Sequence, residues 1–189
     1  IYYDLVFDQP VKLQDSVAHT LVIQASDKEH NITARIAFSS VSVAYAKAAI
    51  NREPFENIKK ENTATWNREL ARIQVSGDLN EERLFYSLLY RTLQCPFDIS
   101  EPDGTYKACN NSIQHTNHKT YSGWSIWDNY RTELPLLSLM QPERYADMVT
   151  SIANLYRFGK KNWATKTEPS NTVRTEHAIV VLIDAYRKG

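Results

Sequence analysis

The sequence has little of several features that mark particular classes of protein. It carries two cysteines, Cys95 and Cys109, too few for the disulfide framework of a small secreted scaffold. In an oxidising compartment they could close one loop, and two free thiols are an equally good interpretation. No run of about 18 apolar residues occurs, so no segment is predicted to span a bilayer. The 22 basic residues balance 22 acidic ones and form no basic stripe, which argues against a nucleic-acid partner.

Aromatic residues, by contrast, are abundant. Four Trp and eleven Tyr occur in the 189 residues of the chain. Packing in cores and interfaces accounts for most such side chains in proteins. Aromatic faces also stack on sugar rings, so this composition mildly favours a carbohydrate-binding site.

The first forty residues show the period of two that is typical of β-strands. Apolar residues alternate with more polar ones over residues 1–7, and again over residues 21–25 and 32–38. Residues 27–30 are predicted to form one of the turns between these three strands. The apolar residues of the first strand, expected to form one buried face, are Ile1, Tyr3, Leu5 and Phe7. Three strands cannot form a stable sandwich alone, so we expect the rest of the sheet to precede this chain.

After Ser40 the apolar period lengthens to that of α-helices. Helices are predicted over residues 43–50, 58–74, 78–92, 125–139, 142–158 and 179–189. Asp78 and Glu81 resemble a capping box that opens the third helix. The buried stripe of that helix is predicted to comprise Leu84, Phe85, Leu88, Leu89 and Thr92. Residues 96–123 are rich in turn-forming residues and predict a long irregular loop, which in a compact domain is usually functional.

The most informative segment is Ser122-Gly-Trp-Ser-Ile-Trp-Asp-Asn-Tyr-Arg131, at the mouth of a predicted helix. Trp127 offers an aromatic face to the apolar side of a pyranose ring, and the Asp128 carboxylate can accept hydrogen bonds from two hydroxyl groups. Structural explanations are open as well. The helix dipole favours an Asp in the first turn, and Arg131 could pair with Glu133. On these residues alone a structural role is the more frequent outcome, because buried Trp is common.

Further motifs surround this segment in a fixed order. They are Trp66-Asn67, Phe85-Tyr-Ser-Leu-Leu-Tyr-Arg-Thr92, Asp103-Gly-x-Tyr106, Gln141-Pro-Glu-Arg144, His177-Ala178 and Asp184-Ala-Tyr-x-Lys-Gly189. In this order and spacing, the series closely resembles glycoside hydrolase family 92, the calcium-dependent exo-acting α-mannosidases. The resemblance covers nearly the whole chain from Ser40 onward, and the Trp-Asp-x-Tyr-Arg and Gln-Pro-Glu-Arg stretches are specific.

The resemblance implies a mixed, mainly α fold and a piece of a longer enzyme. Residues 1–40 would be the end of an N-terminal β-sandwich, and residues 41–76 a helical linker. Residues 77–189 would be the first helices of an (α/α)6 catalytic toroid. Members of the family are typically exported, so the resemblance also implies a periplasmic, cell-surface or secreted protein.

The resemblance further implies the removal of terminal α-linked mannose from glycans, with α-1,2 as the expected linkage. The implied mechanism is inverting: one carboxyl group protonates the leaving oxygen and another activates water. A calcium ion, which prefers oxygen ligands, would hold vicinal hydroxyls of the sugar. The family motifs for the acid, the base and the main calcium ligands are absent here, so the chain alone is expected to be inactive. The residues carried over as mannose-binding are Trp127 and Asp128, with Arg131 and His177 as further candidates.

Two stretches depart from the family pattern. Arg174 and Glu176 place charge in the turn before His177, where family members usually have a small glycine-containing turn, and residues 96–102 also differ. Such changes point to altered specificity or to a divergent member with weak activity. The alternative function is therefore a non-catalytic glycan-binding or scaffold module. No compact ligand set accompanies the histidines of the long loop, so no zinc site is predicted.

Overall fold

The computed structural model describes residues 1–17, 20–25, 32–158 and 177–189. They form two compact units, Ile1–Glu53 and Pro54–Gly189. The predicted turn at residues 27–30 and the charged turn with Arg174 and Glu176 lie outside the described residues. The domain limits near residues 40 and 76 remain predictions.

The described part of the first unit contains four strands and a short helix. The strands are β1 (Tyr2–Phe7), β2 (Val11–Val17), β3 (Thr20–Ala25) and β4 (Ala34–Ser39), and the helix is α1 (Val43–Ala48). Strand β1 pairs antiparallel with β4, and β2 pairs antiparallel with β3. The prediction of three strands was wrong because it missed β2. Asp15 interrupts the apolar alternation of β2 at a register shift in its ladder, so the pattern was not recognisable.

The apolar face of the β1–β4 ladder is not buried as predicted. Tyr3 lies opposite Phe38 and Leu5 lies opposite Ile36, so all four share one face of the ladder. Tyr3, Ile36 and Phe38 are 56%, 53% and 61% exposed among the described residues. The alternation identified β1 and β4 correctly, but within the described part of the chain no second layer covers this face of the ladder.

The second unit is mainly helical. Its helices are α2 (Phe55–Leu70), α3 (Leu79–Thr92), α4 (Ile126–Asn129), α5 (Glu133–Met140), α6 (Pro142–Arg157) and α7 (Ala178–Lys188). None of the helices in the described ranges is long and apolar enough to cross a membrane. The helix predicted over residues 125–139 is two helices, α4 and α5. Pro135 explains the break, because its ring nitrogen cannot donate to the carbonyl four residues earlier and is tolerated only in a first turn.

Helix α3 begins where predicted, with a different set of capping bonds. The Asp78 carboxylate accepts a hydrogen bond from the Asn80 N–H at 2.9 Å, and Glu82, not Glu81, accepts one from the Gly77 N–H at 3.1 Å. The predicted buried stripe was too wide, since Leu84 and Leu88 are 61% and 53% exposed. The residues of this segment that pack on the core are Phe85, Tyr86, Leu89 and Leu93.

The core of the second unit draws on α3 to α7. Its buried members are Leu89, Leu93, Tyr121, Trp124, Ile126, Leu134, Leu137, Tyr145, Met148, Ile152, Ala178 and Val181. Helix α6 is held at its start by polar contacts: the Gln141 side-chain amide donates to Glu69 at 2.6 Å, and Arg144 donates to Gln141 at 3.1 Å. These contacts give the Gln-Pro-Glu-Arg stretch a structural role.

Residues 96–123 contain more regular structure than the sequence predicts. Strand β5 (Phe97–Asp98) pairs with β8 (Tyr121–Ser122), and β6 (Thr105–Lys107) pairs with β7 (Ile113–His115). Strands of two or three residues are too short to show a period of two. Gly104 has φ +84°, and a Cβ there would lie 1.9 Å from the Thr116 carbonyl oxygen, so this turn requires glycine. Cys95 and Cys109 are not joined in a disulfide bond.

Candidate functional site

The four candidate residues from the sequence line one open cleft, called here the aromatic cleft. Trp127 and Asp128 belong to α4, Arg131 follows it, and His177 directly precedes α7. Tyr130 completes the lining, and the volume of the cleft is about 280 Å³. The structure thus brings together residues that are distant in the sequence. Their role in binding mannose remains a prediction.

The burial of two residues in α4 directs the site residues outward. Ile126 is 1% exposed and Asn129 is 4% exposed, so both are anchored in the second unit. Successive residues of an α-helix point about 100° apart. Trp127 and Asp128, which lie between the two anchors, therefore point away from the core, and Trp127 is 49% exposed.

Four side chains of the aromatic cleft form a continuous stack. The rings of Trp127 and His177 meet edge to face, with centroids 5.6 Å apart, and the rings of His177 and Tyr130 lie 4.1 Å apart. The Arg131 guanidinium lies 5.1 Å from the centroid of the Tyr130 ring. Edge-to-face aromatic pairs and cation–π contacts are both attractive, so the stack fixes the wall of the cleft.

Sequence reasoning missed Tyr130 as a site residue, although it lies inside the Trp-Asp-x-Tyr-Arg stretch. Arg131 Nε donates a hydrogen bond to Tyr130 Oη at 2.5 Å. Arg131 therefore contacts its neighbour in the stack, and the alternative pairing with Glu133 that the sequence left open is not needed to explain it. The phenol thus holds the guanidinium in the wall of the cleft.

Asp128 provides the carboxylate of the aromatic cleft. Ser125 Oγ donates a hydrogen bond to Asp128 Oδ2 at 2.7 Å. An ionised carboxylate has about four lone-pair positions, so this bond leaves capacity to accept hydrogen bonds from ligand hydroxyls. An aromatic face next to an exposed carboxylate is the chemistry that a pyranose ring requires.

Asp128 also lines a second cleft of about 230 Å³. The other residues of this second cleft are Thr92, Ser125, Asn129, Thr132, Glu133 and Leu136. Burial raises the pKa of Glu133 from its ordinary 4.5 to about 7, and a hydrogen bond with Asn129 opposes that shift in part. Sequence reasoning considered Glu133 only as a possible partner of Arg131, because burial by residues from another helix is not visible in a local pattern.

The described residues do not provide a calcium site by themselves. Within residues 1–17, 20–25, 32–158 and 177–189, no three His, Cys, Asp or Glu side chains come close enough to hold a metal ion. Calcium takes about six to eight oxygen ligands, several of them carboxylates. Asp128 and Glu133 alone do not meet that requirement.

The sequence profile of the glycosyl hydrolase family 92 catalytic domain matches residues 43–189. The chain belongs to glycosyl hydrolase family 92. The family predicted from the motifs around Trp127 is therefore confirmed. No protein in the search of curated sequences matches the chain.

Solved structures of family 92 proteins share the fold. The glycosyl hydrolase ccman5 is 26% identical with a TM-score of 0.80, and the match covers 99% of this chain and 28% of that one. An inverting mannosidase from Bacteroides thetaiotaomicron is 24% identical with a TM-score of 0.75, covering 99% and 29% of the two chains. An α-mannosidase from the same organism is 22% identical with a TM-score of 0.74, covering 97% and 28%. The chain thus spans little more than a quarter of the length of these proteins.

Proposed function

We propose that the full-length protein is a calcium-dependent, inverting exo-α-mannosidase of the α-1,2 type that removes terminal mannose from glycans. Membership of family 92 supports a glycoside hydrolase. Among the similar solved structures, one is described as an inverting mannosidase and another was solved with mannoimidazole. Helices α3 to α7 would be the first helices of the (α/α)6 toroid, and the strands of the first unit the end of the sandwich. The family resemblance further supports a periplasmic, cell-surface or secreted location.

The aromatic cleft is the observation that carries this proposal. It combines the half-exposed Trp127 ring with the Asp128 carboxylate in a volume of about 280 Å³. Sites for drug-sized ligands span about 300–1,000 Å³, so this volume suits one sugar ring. A sugar packed on Trp127 would cover apolar surface that is otherwise in water, and its hydroxyls would donate to Asp128.

Binding and orientation are the contributions of this chain to the reaction. An inverting glycosidase needs two carboxyl groups about 6.5–9.5 Å apart, one as general acid and one as general base. These groups are proposed to lie outside this chain. Trp127 and Asp128 would hold the terminal ring so that its anomeric carbon lies between the two catalytic carboxyl groups. Orientation of this kind lowers the activation barrier of the hydrolysis substantially. Calcium, when bound to the full-length enzyme, would fix vicinal hydroxyls of the ring.

The test is mannose release by the full-length protein from α-1,2-, α-1,3- and α-1,6-linked mannobiosides. Release from the α-1,2 substrate should stop when a chelator removes calcium and return when calcium, but not magnesium, is added. The magnesium arm is the control for a general requirement for a divalent cation. A folded, calcium-loaded protein that releases mannose from none of the three substrates would contradict the proposal and favour a glycan-binding module.

A further inference from the structure

The second cleft contains buried polar atoms that lack partners. Asn129 is 4% exposed, and its Oδ1 atom has no hydrogen-bond partner among the described residues. The Oε1 atom of Glu133 is also buried and without a partner in the same part of the chain. A buried polar atom without a hydrogen bond costs about 1–3 kcal/mol, and native structures contain few of them. Both atoms belong to residues that line the second cleft, which indicates a place where a ligand supplies the missing hydrogen bonds.

The lining of the second cleft defines the chemistry of that ligand. Among the described residues, no Lys, Arg or His lines it, and the two carboxyl groups of Asp128 and Glu133 disfavour an anion. The amide oxygen of Asn129 accepts hydrogen bonds only, so the ligand must donate. Because burial keeps the pKa of Glu133 at about 7, its carboxyl group exchanges between donor and acceptor forms near neutral pH. A hydroxyl group can donate and accept, so it pairs with both forms.

The volume and the lining of the second cleft further limit which ligands it can bind. Its volume of about 230 Å³ is slightly smaller than that of the aromatic cleft. A buried water needs only about 10–15 Å³ of such volume, so the space exceeds what a single water fills. Leu136 adds an apolar surface beside the polar groups, while Ser125 and Thr132 add hydroxyls. One neutral ring that carries several hydroxyls matches this combination.

We propose that the second cleft is a binding site for one neutral polyhydroxylated ring, held chiefly by Asn129, Thr132 and Glu133. Naming that ring as a sugar of the glycan rests on the proposed function, whereas the hydrogen-bonding chemistry of the cleft does not. Asp128 lines both clefts, and Ser125, which lines the second, donates to it. The two rings would therefore bind on surfaces that share one carboxylate.

The experiment is a calorimetric titration of the full-length protein with D-mannose. Asn129→Leu removes the unpartnered amide oxygen at nearly constant volume, together with the amide N–H group that bonds Glu133. Thr132→Val removes a hydroxyl from an exposed position. Each variant should bind one equivalent of mannose fewer than the wild type. Thr150→Val is the matched control, because Thr150 is an exposed residue of α6 that does not line the cleft; it should bind as many equivalents as the wild type.

Trp127→Ala separates the failure of this proposal from the failure of the proposed function. If Trp127→Ala loses one equivalent while folded Thr132→Val and Asn129→Leu lose none, the second site is overturned and the aromatic cleft stands. If the Asn129 and Thr132 variants each bind one equivalent of mannose fewer while Trp127→Ala binds as many as the wild type, the second site is supported. The aromatic cleft is then not a mannose site. Should Asn129→Leu not fold, the exposed Thr132 variant decides alone, and an unchanged number of equivalents overturns the second site.

Discussion

The aromatic cleft and the second cleft share Asp128 and differ in how their residues are distributed along the chain. All but one of the residues in the aromatic cleft lie between Trp127 and Arg131. A motif in the sequence pointed to Trp127, Asp128 and Arg131, and Tyr130 lies within that motif. The second cleft combines Thr92 of α3 with residues from Ser125 to Leu136, and its lining became visible only in the structure. Local motifs reveal sites that one segment builds, whereas a site between helices needs the packing to be known.

The strongest test of this comparison removes the sugar contacts of the aromatic cleft. Trp127→Ala and Asp128→Asn should each lower kcat/KM for an α-1,2-mannobioside by about 100-fold or more, equivalent to about 3 kcal/mol of transition-state stabilisation. The loss follows because stacking and charge-assisted hydrogen bonds to the ring disappear. Steady-state kinetics of the full-length enzyme measure it. Asp103→Asn, in an exposed turn away from the cleft, is the control, and equal kinetics for Asp103→Asn and Asp128→Asn would remove Asp128 from the site.

The next test concerns the packing of α5, which stabilises the unit that carries both clefts and does not itself bind the ligand of the aromatic cleft. Leu134 is fully buried at the start of α5, whereas Leu139 of the same helix is 79% exposed. Leu134→Ala should destabilise the protein by about 2–5 kcal/mol, because it removes buried methyl groups and leaves a cavity. Leu139→Ala should change stability by about 0.5 kcal/mol or less. Thermal unfolding measures the stability of both variants. Equal losses of stability would contradict the burial of Leu134 and the exposure of Leu139.

Glu133 gives the second cleft a dependence on pH. Burial raises the pKa of its carboxyl group from 4.5 to about 7, so the folded state binds the proton more tightly than the unfolded state. The stabilising contribution is therefore complete below pH 4.5 and is lost as the pH rises through about 7. Glu133 is only partly buried, and screening by solvent reduces the difference to the order of 1 kcal/mol. The melting temperature of Glu133→Gln, relative to wild type, should rise between pH 4.5 and 7.5; a constant difference would contradict the raised pKa.

The smallest expected effect concerns the wall of the aromatic cleft. Tyr130→Phe keeps the ring that stacks on His177 and removes the hydroxyl that accepts from Arg131. Loss of one such bond costs about 1 kcal/mol, so kcat/KM should fall by about fivefold. Tyr186→Phe is the control, since Tyr186 is 88% exposed on α7. A Tyr130 variant as active as the Tyr186 variant would show that Arg131 does not need this partner.

Sequence reasoning was most successful where one segment carried the information. The helical period located most of the helices, and α6 begins at Pro142, where the helix predicted over residues 142–158 begins. Sequence reasoning was less successful where contacts between distant segments decide which side chains are buried. Leu84 and Leu88 were assigned to the core, but their orientation depends on which neighbours pack against α3. The raised pKa of Glu133 likewise results from burial in the packed unit, which local periodicity does not describe.

The most direct test of the central claim is a crystal structure of the full-length protein with mannose bound. We predict a pyranose ring packed on Trp127, with a hydroxyl oxygen about 2.5–3.0 Å from a carboxylate oxygen of Asp128. Mannose bound elsewhere in the enzyme, with the aromatic cleft empty, would contradict the assignment of this cleft as the site for the terminal sugar.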